Sequence, residues 1–388
     1  MKRSSLGSVV LLTILTACGS PPEPAAPAVE PPPPAPVATT PPPAPEPVKP
    51  PEPTAEEKKK AAEQQELQAD RAKAEADSKA ELARWTPEMH AEAKALADKT
   101  FATGKAATQA AMAGKHRKAG AADRDKYRHP VETLDFFGLK PTMTVLEIGP
   151  GDGWYTELLA PALAKKGKLE LTSGDPNGPV ESRSTFYAQR TKSFLDKAPE
   201  LYGKVEVVTI DGKSPKLGAD ASLDMALIMR GAHGLHNSKT LGTWLSELHR
   251  TLKPNGVLGI EEHRAKADAN PDESAKKGYL PEKWLIDQVE AAGFKLSAKS
   301  EINANPKDTK DYAECVWTLP PTFTLKDKDH DKYAAIGESD RMTLRFVNVA
   351  AKPAPKPAGG KDATKPSATP TPAPKPAAPM AVPPVKPN

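Results

Sequence analysis

The chain has 388 residues, a formal net charge of +4 and two cysteines. The charge excess is too mild to argue for nucleic-acid binding, and two cysteines exclude a disulfide scaffold. Of its 44 prolines, most crowd two stretches, roughly 20–53 and 351–388, which lack aromatic residues. Such segments cannot build a core and are expected to be extended, largely polyproline-like termini. The globular part is thereby confined to about 120–350, an ordinary domain size.

At the N-terminus, Lys2 and Arg3 precede a short apolar run from Leu6 to Ala17. That run suits a secretory signal better than a membrane span. Its end, "LTAC" at Leu15–Cys18, resembles the bacterial lipobox. The resemblance implies cleavage after residue 17 and acylation of Cys18, with residues 18–53 as a Pro-rich tether. Gly19 rather than an aspartate follows the cysteine, which by the same analogy points to the outer membrane, facing the periplasm. With Cys18 acylated, Cys315 has no partner for an intrachain disulfide. The six lysines of the tail at 351–388 read as a solvated linker, or alternatively as a contact with an anionic envelope polymer.

Residues 54–119 form an Ala/Lys/Glu-rich helical extension. Thr54 and Glu57 fit a capping box, and the apolar stripe is thin, with Leu67, Leu82 and Trp85 among alanines. This predicts a solvated spacer helix to about Arg84. Thr86 and Pro87 start a second helix, expected to run to about Met112.

From Thr142 onward, apolar runs alternate with segments of helical period. "MTVLEIG", "KLELTS", "KVEVVTI", "SLDMALIMR", "NGVLGIEEH", "FKLSAKSEI" and "MTLRFVNV" read as seven strands. Helices between most of them predict a doubly wound, largely parallel α/β sheet, with the last strand inserted antiparallel. In such a sheet, ligands bind at the carboxyl ends of the strands. There the first strand runs into "GPGDG". Gly149 suits the tight turn, Gly151 lets a ligand approach the backbone, and Gly153 permits close packing. Trp154 occupies the position where the dinucleotide fingerprint needs glycine, and no Walker loop follows. Glu147 lies inside an apolar strand and needs a donor.

These residues carry a resemblance. "LEIGPGDG" resembles the first motif of class I S-adenosylmethionine-dependent methyltransferases, and "LKPNGVLGI" at Leu252–Ile260 their segment before strand five. More narrowly, "RDKYRHPVETLDFFGLKP", "HRAKADANP", "EINANPKDTKDYAECVWTLPP" and "IGESDRMTLRFV" resemble a group of exported bacterial proteins described as predicted methyltransferases, over roughly 115–349. The resemblance implies a Rossmann-like methyltransferase fold and S-adenosyl-L-methionine as cofactor, held by Glu147, Gly149, Gly151, Gly153, Asp175 and Asp211. The family's ribose-binding acid ends strand two. Ser173 stands there, so Asp175, two residues on, is the displaced candidate, with Glu170 better suited to a structural pair. Asp211 stands at the adenine contact, or simply turns a loop.

Chemistry falls to residues on the same edge: Arg230, His233 and His236 after strand four, and Glu261, Glu262, His263 and Arg264 ending strand five. Arg124, Asp125, Tyr127, Arg128 and His129 lie in a helix-like lid before strand one. His263 is the first choice of base, with His233 beside it. Arg230 or Arg128 suits the cofactor's carboxylate or an acidic substrate. The same histidines and glutamates leave a metal-assisted hydrolase open, though no compact ligand motif is present. A non-catalytic scaffold keeping the fold is the other alternative. The expected partners are a small-molecule or envelope-component acceptor and the membrane, through the anchor, with no nucleic acid.

Overall fold

A computed structural model describes residues 54–349. The signal, the tether with Cys18, and the tail from 351 onward lie outside the described residues. Among those described, no helix is long and apolar enough to cross a membrane.

The elements follow in chain order as α1 (Ala55–Arg84), α2 (Pro87–Asp98), α3 (Gly104–Met112), α4 (Asp125–Arg128), α5 (Pro130–Phe137), β1 (Thr144–Ile148), α6 (Thr156–Leu163), β2 (Lys168–Ser173), α7 (Arg183–Asp196), α8 (Pro199–Tyr202) and β3 (Glu206–Thr209). Then come β4 (Leu223–Met229), α9 (Ala232–Asn237), α10 (Leu241–Thr251), β5 (Leu252–His263), α11 (Pro271–Lys276), α12 (Glu282–Ala291), β6 (Phe294–Ser300), α13 (His330–Ile336) and β7 (Arg341–Asn348). The seven strands form one sheet in the order β3-β2-β1-β4-β5-β7-β6. Strands β1 to β5 pair in parallel, and β7 lies antiparallel between β5 and β6. Because β7 runs backwards, its first residue, Arg341, pairs with His263, the last of β5. The start of β7 therefore joins the edge that carries the glycine turn.

Apolar residues cover both faces of the sheet. On one face Phe137, Leu158 and Leu171 pack with Met225; on the other Leu146, Ile228, Leu245 and Leu285 pack with Phe346. The central strands are buried on both sides and read as continuous hydrophobic runs, as parallel strands must.

The N-terminal extension departs from expectation in two ways. First, α1 is no free spacer. Leu67 is buried, Arg71 donates to the Gln189 side chain at 2.6 Å and the Val180 carbonyl at 2.7 Å, and Arg183 pairs with Asp70 at 2.8 Å. The alanine-rich stripe hid this docking because its affinity is polar, made by side chains more than a hundred positions apart. Second, the helix expected over 87–112 is two helices. The Thr103 hydroxyl accepts from the Ala106 amide and starts α3 afresh. A Cβ on Gly104 would fall 2.0 Å from the Leu139 carbonyl oxygen, so α3 begins pressed against the chain entering β1.

Candidate active site

The edge is built from the glycine turn. Gly149, Gly151 and Gly153 all have positive φ, at 60°, 57° and 79°, a region that L side chains rarely adopt. A Cβ on Gly149 or Gly151 would meet nothing within 4 Å, whereas one on Gly153 would fall 2.7 Å from the Phe194 ring of α7. The turn thus has two glycines facing open space and one pressed against a helix. The Gly149 amide donates to the Thr172 hydroxyl at 2.9 Å, tying the turn to β2. A groove of about 620 Å³ between α1 and α7 reaches Gly151 and Asp152.

Glu147 is 2% exposed, and its donor is the Thr156 hydroxyl at 2.7 Å, from the first residue of α6. Burial pushes its carboxyl up to about 7, against the pull of Thr156 and Arg230.

Asp175 and Asp211 are exposed, and each accepts a backbone amide two residues on, from Asn177 at 2.8 Å and Lys213 at 2.9 Å. Both therefore hold turns. The β2–β3 register runs unbroken to Ser173, so no bulge moves a carboxylate to the strand end. Glu170 pairs with Lys168 at 2.8 Å.

The two histidines lie side by side, ring centroids 5.7 Å apart, but in different settings. Nδ1 of His233 lies 2.9 Å from Glu262, a fully buried carboxylate that also accepts the His233 and His263 amides. This fixes Nε2 as the ring nitrogen without a partner among the described residues. Burial acts against the His233 imidazolium, but the charge and hydrogen bond of Glu262 outweigh it and raise its pKa. His263 has the Ser339 hydroxyl at 2.6 Å instead of a carboxylate. Burial, followed by the charges of His233, Arg341 and Arg230, drives its pKa well below the ordinary value. Of the two rings, His233 is therefore the one whose protonated form its surroundings favour, and His263 the one whose protonated form they oppose. The reason is the single carboxylate of Glu262, which turns to His233.

Arg230, at the end of β4, has φ 59° and donates to Glu261 at 3.1 Å. Glu261 also accepts from Tyr155 at 2.9 Å and pairs with Arg341 at 2.9 Å. Glu338 receives Arg124 at 2.7 Å, Arg128 at 3.3 Å and Arg341 at 2.5 Å. Arg128 lies over the Trp154 ring at 4.5 Å and Arg230 over Tyr155 at 5.7 Å, both rings directly following the glycine turn. The other edge candidates are engaged elsewhere: Asp125 with Arg117 at 2.6 Å, His236 with Asp272 at 2.8 Å, and Arg264 with Asp340 at 2.9 Å. The Tyr127 carbonyl accepts from Arg341, and His129 reaches Asn303. Sequence reasoning passed over Tyr155, Thr156, Glu338, Ser339 and Arg341. The available signal was "GESDR" just before an apolar strand, where charges need partners.

Among the described residues, no group of three or more His, Cys, Asp or Glu is arranged to hold a metal ion. The residues do suit an adenosyl cofactor. Open glycine positions leave room that a Cβ would fill, and a buried carboxyl stands behind them.

Sheet order, antiparallel β7 and glycine turn together define the class I methyltransferase fold, a Rossmann-like sheet. No protein-family model matches the chain. Demethylmenaquinone methyltransferase of Chlamydia caviae is 34% identical over 100 residues, which are 26% of this chain and 41% of that protein. The chain thus spans less than half the length of that curated relative. Among solved structures, a SAM dependent methyltransferase from Aquifex aeolicus aligns at 21% identity and TM-score 0.39, covering 58% of this chain and 93% of that one. The 1,6-didemethyltoxoflavin-N1-methyltransferase of Burkholderia thailandensis, solved with bound 1,6-didemethyltoxoflavin and S-adenosylhomocysteine, aligns at 17% identity and TM-score 0.34, covering 58% of this chain and 78% of that one.

Proposed function

We propose that the protein is an S-adenosylmethionine-dependent methyltransferase, anchored to the cell envelope through Cys18 and acting on a small-molecule or envelope-component acceptor. The observation that carries this reading is the glycine turn: Gly149 and Gly151 hold positive φ with open space where a side chain would be. The homologous stretch in the Chlamydia enzyme supports it.

When bound, the cofactor supplies an electrophilic methyl group for in-line displacement. This chain's residues do the rest. Gly149 and Gly151 let the backbone approach the cofactor's methionine end, with Glu147 behind them. Tyr155 and Arg230, locked on Glu261, wall the side toward β5. His233 Nε2 takes the proton from the acceptor's nucleophilic atom as the carbon bond forms. Glu262 holds the opposite N–H and stabilises the resulting imidazolium. His263, Arg230 and the nearby aromatic rings shape the acceptor's side. Asp175 and Asp211 remain the carboxylates proposed for the ribose and adenine, each held by its own turn.

Radiolabelled S-adenosylmethionine incubated with the protein and an envelope extract should label an extractable component. His233→Ala should abolish that labelling, and labelling independent of the added protein would reject the reading. For the anchor, Cys18→Ser should move the protein out of the detergent-extracted membrane fraction. Unchanged fractionation would reject the lipid anchor.

A further inference from the structure

Four guanidiniums and two carboxylates meet at the edge beside the glycine turn. Arg124, Arg128 and Arg341 converge on Glu338, and Arg341 with Arg230 on Glu261. The neighbouring Arg117–Asp125 pair is self-compensating, and Glu147 feels the pull of Arg230. Within the cluster itself, four guanidiniums face two carboxylates in a largely desolvated place. Buried charge of one sign is costly unless something neutralises it. The guanidiniums sense one another: burial, partly countered by Glu338 and reinforced by Arg230 and Arg341, lowers the Arg124 pKa.

The excess is not spread evenly. The Arg128 and Arg341 side chains are only 4% and 2% exposed, whereas those of Arg124 and Arg230 are 26% and 17% exposed. Arg124 uses only Nε on Glu338, and Arg230 uses only Nη1 on Glu261. Each keeps two further donor nitrogens without a partner among the described residues. Arg124 comes from the segment before α4 and Arg230 from the end of β4, and the two are close enough for the charge of Arg230 to act on Arg124. The same edge carries the His233 ring.

We infer that Arg124 and Arg230 form an oxyanion site for the methyl acceptor, which is a small molecule bearing a carboxylate or phosphate close to the atom that is methylated. Two forked donors match the paired oxygens of either group. The inference rests on the proposed function, because it assigns the anion to the acceptor and leaves the glycine turn to the cofactor. It also gives the site a way to orient the acceptor: the anion docks on the arginines and the nucleophile lies toward His233.

Calorimetry on the full chain at low salt tests this with sodium phosphate and sodium succinate, each titrated with and without saturating S-adenosylhomocysteine. The expected result is binding of at least one probe in both conditions. The stronger probe distinguishes a phosphorylated from a carboxylic acceptor. Arg124→Gln should weaken that binding by at least about ten-fold, with S-adenosylhomocysteine affinity and circular dichroism unchanged. Glu338→Gln removes a competing negative charge and should tighten it, a direction that mere loss of structure does not give. No binding of either probe at tens of millimolar, with S-adenosylhomocysteine still bound, overturns the inference and leaves the methyltransferase reading standing. Anion binding displaced by S-adenosylhomocysteine also overturns it, since the arginines would then serve the cofactor's own carboxylate. If S-adenosylhomocysteine fails to bind at all, the methyltransferase reading falls and takes the acceptor assignment with it.

Discussion

Glu147→Gln should make the protein more stable at pH 8 than the wild type, and the gain should vanish in acid. The cause is the burial that pushes the Glu147 carboxyl from 4.5 up to about 7. Between those values the native state holds a proton that the unfolded chain has released. Stability from this group is therefore fully present below about pH 4.5 and is lost as pH rises through about 7. At 1.36 kcal/mol per pKa unit, the loss amounts to about 3 kcal/mol. Glutamine keeps an acceptor for the Thr156 hydroxyl and cannot ionise, so the variant lacks this loss. Other groups also titrate: Glu157 is raised by burial, and Glu338 is lowered where the charges of Arg341, Arg124 and Arg230 outweigh its burial. Their contributions are common to both proteins and cancel in the difference. Urea unfolding of both, at several pH values from 4.5 to 8, measures that difference through the midpoint at constant slope. The advantage of the variant should grow by about 3 kcal/mol across the range. Parallel stability curves would show that Glu147 is not a buried near-neutral carboxyl, and the reasoning would fail.

The same carboxyl couples to the ligand: a cationic cofactor beside Glu147 favours its ionised form, so binding at pH 6 should release a proton, seen as buffer-dependent heats in calorimetry and absent in Glu147→Gln. Gly151→Val should keep a native circular dichroism spectrum, since its Cβ meets nothing and the positive φ costs about 1–2 kcal/mol, yet remove cofactor binding. Gly153→Val should lower the melting temperature instead, because its Cβ strikes Phe194. Turnover should rise with pH through a value above 6.5, where His233 loses its proton, and Glu262→Gln should move that inflection downward. His233→Ala should cost roughly 10²–10⁴ in turnover; an equal or larger loss for His263→Ala would return the base role to His263.

The sheet was legible because its signal is local. "VLEIG", "MALIM" and "VLGI" are apolar runs too short for helices and bounded by turn residues, and β7 follows a long segment with no helix that makes a parallel crossover. The glycine turn was legible for the same reason. Short elements such as α9 and α11 were not, because six residues give no period to read. The site was half legible. Glu261 and Glu262 stand out as charges in an apolar strand, but nothing local says that Glu262 turns to His233 rather than His263. That choice is made by α9, which presents both the ring and the amide of His233 to the carboxylate. The arginine cluster joins Arg124 to Glu338 across 214 positions, a pairing that only the antiparallel return of β7 creates. Strand β2 ends at Ser173, as its sequence implies, and the unbroken register leaves Asp175 in its own turn.

In the proposed reading the edge that carries the glycine turn holds an adenosyl cofactor. Titration of S-adenosylhomocysteine into the full chain, with circular dichroism establishing the fold, tests it most directly. One site of micromolar affinity, about −8 kcal/mol, is expected, and it should disappear in Gly151→Val. A well-folded wild type that takes up no adenosyl ligand at millimolar concentration would contradict it, leaving a scaffold that keeps the methyltransferase fold without its cofactor.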